Sequence, residues 1–311
     1  MSALTEAQSP LSGEEARDRR QFFHRWLLLS PALAIIVLVG ILPLSIILAY
    51  SFLASGDYGG VKWEFSADAY VGLLFSRDIF DDTLAINTTY LGIYWRSIFL
   101  ALATTVGTLL LGFPTAYFIA TRPKQQRDYW VLLITIPFWT NLLIRTYAML
   151  LLIRDEGIIN RFLMWLGVID EPFIMIYTDF GVALGLLYSF LPFMVLPIYA
   201  SLERLDFQLV EAAADLFATR WEILRRVIIP LSMPGIVAGC ILVFIPGIGA
   251  FITPFMLGGG KQLMIGNLIL LQFGSGRNWP LGSAAALVLM VIVMLALMLY
   301  VHLSSRQGQE K

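Results

Sequence analysis

The side chains that could do chemistry in this 311-residue chain are few and scattered. An intramembrane hydrolase needs a nucleophile with a base, or a pair of acids, inside the bilayer. Ser189 and Ser232 lie in apolar runs, yet neither has a histidine or carboxylate close by in sequence. His24 and His302, the two histidines, fall at the ends of such runs, and Asp179 opens one, a position where aspartate more often caps a helix than catalyses. A single cysteine, Cys240, excludes an internal disulfide, and with no Cys/His cluster the usual zinc spacings are missing. Gly258 to Gly260 followed by Lys261 resembles a phosphate loop only superficially. The Walker pattern needs glycine where Phe255 stands and Ser or Thr where Gln262 stands. The tripeptide Asn87-Thr88-Thr89 fits a glycosylation acceptor, a pattern common by chance. No catalytic residue, no metal ligand and no cofactor bound by this chain is expected.

The elements around these residues explain the poverty of reactive groups. Hydrophobic residues make up 58% of the chain and charged ones 14%, against about 45–50% and about 25% in soluble domains. The 21 Lys+Arg nearly balance the 22 Asp+Glu, so there is no basic field for nucleic acid. About 20 apolar residues span the ~30 Å of hydrocarbon. Six runs of at least that length predict an all-α, polytopic membrane protein: Trp26 to Phe52, Ile93 to Ala120, Tyr129 to Ile153, Tyr177 to Ala200, Val227 to Met256 and Leu281 to Leu303. The first run is too long for a signal-peptide core and is expected to be retained. The chain thus divides into a tail over 1–25, a membrane domain over 26–303 and a tail over 304–311.

Lys and Arg outside the spans set the orientation. Thirteen fall on the side of the termini, in the N-terminal tail, around Arg122 and Arg127, around Arg204 to Arg226, and in the C-terminal tail; six fall on the other. Both termini are therefore expected to be cytoplasmic. Arg96 and Arg145 lie inside spans, where an arginine is costly. Proline recurs in the spans, and the fifth combines Gly235, Gly239, Pro246, Gly247, Gly249 and Pro254, which predicts a broken or closely packed helix near a pathway.

The longest connection on the terminal side, residues 201–226, places Val210, Ala213, Ala214, Phe217, Trp221 and Leu224 at helical spacing, with Glu222 able to pair with Arg225 or Arg226. This predicts an amphipathic helix that lies on its own bundle or docks in a groove of a partner. Phe217 is expected to hold ordinary helical angles and continue the stripe.

Glu211-Ala212-Ala213, followed by Val227-Ile228-Ile229-Pro230, resembles the EAA signature of bacterial ABC importer permeases; the glycine of that signature falls on Phe217. Ile136-Pro137-Phe138-Trp139-Thr140-Asn141 with Leu143-Ile144-Arg145, Trp165 to Asp170, Leu191 to Pro197, Met264-Ile265-Gly266-Asn267 and Asn278-Trp279-Pro280 are similar to spermidine/putrescine permeases of the PotB and PotH type. The resemblance implies the architecture of a type I ABC importer permease in the bacterial inner membrane. It also implies a second EAA-type permease, two cytoplasmic ATPases carrying ATP and magnesium, and a periplasmic polyamine-binding protein. Glu211, Ala212, Ala213, Asp215 and Phe217 would couple to the ATPase. Trp139, Asn141, Arg145, Tyr147, Tyr188 and Phe193 are assigned to the pathway or its gate, since aromatic faces can pass an ammonium by cation–π contact. Arg145 would repel a cation and is better suited to gating. A self-sufficient secondary transporter or channel is disfavoured, because neither an inverted repeat nor an ion-coupling carboxylate inside a span is evident.

Overall fold

A computed structural model describes residues 28–77 and 84–309. The expected tail over 1–25, the start of the first span and the last two residues lie outside the described residues. Helices α1 (Leu28–Ser51), α2 (Asp68–Leu74), α3 (Thr88–Ala120), α4 (Lys124–Trp139), α5 (Leu142–Ile153), α6 (Ile158–Trp165), α7 (Asp179–Glu203) and α8 (Gln208–Asp215) precede α9 (Arg220–Ile248). They are followed by α10 (Ile252–Gly258), α11 (Ile265–Phe273) and α12 (Trp279–Gln309). Between α1 and α3 lie two short antiparallel hairpins, β1 (Leu53–Ser55) with β2 (Val61–Phe65) and β3 (Phe75–Arg77) with β4 (Leu84–Ile86).

Among the described residues, five helices are long and apolar enough to cross a membrane, and α4 with the α5–α6 segment makes a sixth span if the bent pair is counted as one. The all-α, six-span expectation is met with one correction: the run from Tyr129 to Ile153 is not one straight helix but turns by 94° between α4 and α5. Pro137 sits in the last turn of α4, and Thr140 and Asn141 take extended ψ values of 148° and 135°. The Thr140 hydroxyl donates to the Pro137 carbonyl at 2.6 Å, and Asn141 Oδ1 accepts from the Leu143 N–H at 2.8 Å, so both severed ends are capped. Hydropathy is blind to this bend because the apolar run is uninterrupted.

The fifth span behaves as its glycines and prolines foretell. Helix α9 contains a π-helical turn over Leu224–Ile228, just before Pro230, whose missing N–H leaves the Arg226 carbonyl without its usual partner. The helix stops at Ile248 and resumes as α10 after Gly249 to Phe251. Upstream of the break it presses on α7: a Cβ on Gly235 would lie 2.5 Å from the Pro197 carbonyl oxygen, and one on Gly239 2.8 Å from Met194 Sδ. Glycine lets the two backbones approach, as packing in a bilayer requires.

Three helices form the central core. Ala116, Ile119 and Ala120 of α3 meet Met194, Val195, Ile198 and Leu202 of α7 and Ile223, Ile228 and Val243 of α9. Toward the other end, Leu100, Met149, Ile153, Val182, Leu186, Leu257 and Met264 make a second buried cluster. Buried polar side chains pin the irregular segments there. Ser97 Oγ donates to the Ile93 carbonyl at 2.7 Å and accepts from the Ile265 N–H at 2.8 Å. Asn267 donates to the Phe251 carbonyl at 2.7 Å and accepts from the Met264 N–H at 3.2 Å. Asn160, fully buried, holds the loop after α6 by bonding both backbone groups of Phe173.

Candidate functional sites: the Arg145 cavity and the Glu211 turn

Two helix breaks face each other across α7, and a cavity of about 310 Å³ opens between them. Phe138 comes from the end of α4, Leu142 and Arg145 from the start of α5, Ser189, Phe190 and Phe193 from mid-α7, and Pro246 with Gly249 to Thr253 from around the break between α9 and α10. Its walls are mainly apolar and aromatic. Phe138 meets Phe193 edge-on, with centroids 5.0 Å apart and planes at 89°, and Phe193 also contacts Phe190. Of the six assigned pathway residues, Arg145 and Phe193 line this cavity. Asn141 is the N-cap of α5, and Trp139 (84% exposed), Tyr147 and Tyr188 are not among the lining residues. Sequence reasoning missed Phe138, Phe190, Phe251 and Thr253. It set Ser189 aside as a nucleophile without weighing it as a lining hydroxyl. The usable signal was the pair of flanking breaker clusters, Pro137 to Asn141 and Pro246 to Gly249.

Arg145 is the one cation among the lining residues, and it is 9% exposed. Its guanidinium bonds the Pro137 carbonyl at 3.4 Å and lies 5.9 Å from the Phe138 ring centroid, while its Nε–H is buried without an acceptor. Arg96, the other arginine within a span, is differently placed: its Nε is 3.4 Å from Asp179 in the first turn of α7. The helix cap there is Thr178, whose hydroxyl accepts from the Gly181 N–H at 3.2 Å. Asp179 is therefore an ion-pair partner, where a cap was expected.

The connection after α7 is built from the short helix α8 and the first turn of α9. Phe207, Val210 and Ala213 turn inward onto the core, while Glu211, Ala212 and Asp215 remain exposed. Helix α8 ends in a Schellman turn: the Ala218 N–H donates to the Ala213 carbonyl at 3.1 Å and the Phe217 N–H to that of Ala214 at 2.9 Å. This motif needs a left-handed residue after the helix, and Phe217 supplies it with φ 59°. The expectation of helical angles at Phe217 is overturned, because satisfying two terminal carbonyls outweighs the cost of one strained residue. The apolar stripe stops with α8 in consequence. Phe217 is 95% exposed and Trp221 68% exposed, beside a groove of about 360 Å³ lined by Ala213, Leu216, Ala218, Glu222, Ile223 and Arg226. The next helix starts with a capping box, Thr219 and Glu222 exchanging hydrogen bonds at 2.9 and 3.3 Å, and Glu222 also faces Arg226 at 3.9 Å.

Residues 109–309 match the family of binding-protein-dependent transport system inner membrane components. The chain belongs to this family. It is the multi-pass inner-membrane subunit of an ABC importer, a transport subunit whose ATP-hydrolysing partner is a separate protein. Among relatives of this permease, the spermidine/putrescine transport system permease protein PotB of Escherichia coli is 42% identical over 265 residues, which cover 85% of this chain and 92% of that one. PotB of Haemophilus influenzae is 36% identical over 84% of this chain and 87% of that one. A solved bacterial alginate ABC transporter, in complex with its oligosaccharide-bound periplasmic protein, contains a chain that superposes with TM-score 0.68 over 93% of this permease and 96% of itself. At 17% identity that likeness speaks to the fold alone.

Proposed function

We propose that this permease forms one half of the translocation pathway for polyamines of the spermidine and putrescine class, handed to it by a periplasmic binding protein. The observation that carries the reading is the 42% identity to PotB over 85% of the chain, and the aromatic Phe138–Phe190–Phe193 wall is consistent with ammonium groups passing by cation–π contact. A second EAA-type permease supplies the other half. Of the two ATPases, which bind ATP and magnesium, one docks at the Glu211 turn and the other at the matching turn of the second permease. Their closure on ATP moves α8, opening the bundle outward to the loaded binding protein, and hydrolysis resets it.

In this reading both termini and the Glu211 turn are cytoplasmic. Support comes from the packing of Ala120, Leu202 and Ile223 in one cluster, which gathers the cations around Arg122 to Arg127 and Arg204 to Arg226 at the same end. The test is radiolabelled spermidine uptake in cells lacking other polyamine importers and carrying this permease with its neighbouring partner genes. Uptake should require the permease and be blocked by ATPase inactivation. Uptake that persists in reconstituted vesicles holding this chain alone would overturn the proposal in favour of a self-sufficient transporter.

A further inference from the structure

Arg145 lacks the acceptor that a buried guanidinium requires. Its five N–H donors have one recorded acceptor, the Pro137 carbonyl at 3.4 Å, and that oxygen already receives the Thr140 hydroxyl at 2.6 Å and the Thr140 N–H at 3.4 Å. Three donors compete for two lone pairs, and the arginine makes a long contact. The Nε–H has no partner among the described residues. Among the described residues, none that lines the cavity is an aspartate or glutamate, and Asp179 is engaged by Arg96. A charge buried in this way is stable only when paired and hydrogen-bonded, and the planar fork of arginine fits a carboxylate in bidentate fashion.

We propose that the cavity is a carboxylate subsite, in which Arg145 holds an anionic oxygen pair brought from outside this chain. It rests on the reading that the cavity lies on the translocation pathway. Two sources share the chemistry. One is an acidic side chain of the companion permease, which would cancel the positive charge and let an ammonium pass the aromatic wall. The other is a solute bearing a carboxylate on an aliphatic chain, whose methylenes the apolar wall would accept.

The experiment uses the assembled importer, with its companion permease and ATPases, in lipid nanodiscs. Binding of radiolabelled 4-aminobutanoate is compared with that of 1,4-diaminobutane, which has the same four-carbon chain with an ammonium in place of the carboxylate. A solute carboxylate predicts saturable 4-aminobutanoate binding about tenfold tighter than diamine binding, lost in R145Q and partly kept in R145K. A companion carboxylate predicts no such preference, but a loss of transport in R145Q that is restored when one acidic residue of the companion is also made neutral. The proposal is overturned if R145Q leaves 4-aminobutanoate binding and transport unchanged, or if 4-aminobutanoate shows no preference over the diamine and the transport lost in R145Q is restored by no neutralised companion acid. Should R145Q fail to assemble, recovery of assembly when one companion acid is also made neutral supports the companion carboxylate, and weakened but preferential 4-aminobutanoate binding in R145K supports the solute carboxylate. The absence of both overturns the proposal. Import of a non-polyamine solute would refute the polyamine assignment and leave these binding outcomes standing.

Discussion

The Asn267 side-chain amide donates to the carbonyl of Phe251 at 2.7 Å, across sixteen residues of sequence, and so closes the gap where α9 stops and α10 begins. The same side chain accepts the Met264 N–H at 3.2 Å, and the neighbouring Gly266 lies so close to the Gly249 and Ala250 carbonyls that no Cβ could be placed there. One buried amide thus satisfies two irregular backbone segments at once, and the wall of the Arg145 cavity formed by Ala250 and Phe251 depends on it.

Replacing Asn267 by Leu keeps the branched shape and deletes both bonds, leaving the buried Met264 N–H unpaired and the Phe251 carbonyl with the Phe255 N–H at 3.0 Å as its remaining donor. An orphaned buried N–H costs about 1–3 kcal/mol. Asn267→Leu is expected to lower the thermal midpoint of the detergent-solubilised complex and to reduce uptake even where the protein still inserts. A midpoint equal to wild type would show that the break is held by other means.

Close packing of α9 on α7 predicts a steep size dependence at Gly235. An added methyl would meet the Pro197 backbone oxygen at 2.5 Å and Ser201 Cβ at 2.6 Å, and a backbone oxygen cannot rotate away. Gly235→Ala should destabilise by about 1–3 kcal/mol, as overpacked cores do. Gly40, with nothing within 4 Å of an added Cβ, is the control; Gly40→Ala is expected to be neutral or slightly stabilising. Comparable thermal midpoints for the two variants would refute the packing argument.

How far the sequence alone leads differs from site to site. Hydropathy finds the spans because desolvation of ~20 residues is a property of composition, and the spacing of Gly235 and Gly239 announces close packing. It does not find the 94° bend, since Thr140 and Asn141 interrupt the helix without interrupting the apolar run. Arg145 and Phe193 are legible as unusual residues in a span, whereas Phe138, Phe190 and Phe251 become a site only when two breaks converge on α7. Phe217 marks the opposite failure: the propensity of the residue argues for a helix, and the hydrogen-bond demand of the helix end prevails.

Glu211 occupies the first turn of α8, exposed, with Ala212 beside it. If this face enters the ATPase groove, Glu211→Ala should leave membrane insertion intact while lowering both uptake and transport-stimulated ATP hydrolysis. Loss of a charge-assisted contact at about 1.5–3 kcal/mol corresponds to a tenfold or greater drop in coupled rate. Full coupling in this variant, measured as ATP hydrolysed with and without loaded binding protein, would remove Glu211 from the contact.

Phe217 allows the backbone and the ring to be tested separately. A left-handed non-glycine residue is strained by roughly 1–2 kcal/mol, and the ring, 95% exposed, contributes almost no packing within this chain. Phe217→Gly is therefore expected to stabilise the solubilised permease by about 1 kcal/mol, less any gain in unfolded-chain entropy. Phe217→Ala keeps the left-handed strain and deletes the ring, so its stability should match wild type. Should the ring dock on the ATPase beside the groove of Ala213 and Leu216, both variants will copurify less ATPase despite their different stabilities. Unchanged copurification in both would mean that Phe217 serves the helix end alone. A Gly variant less stable than wild type would show that the turn does not carry the strain its φ of 59° implies.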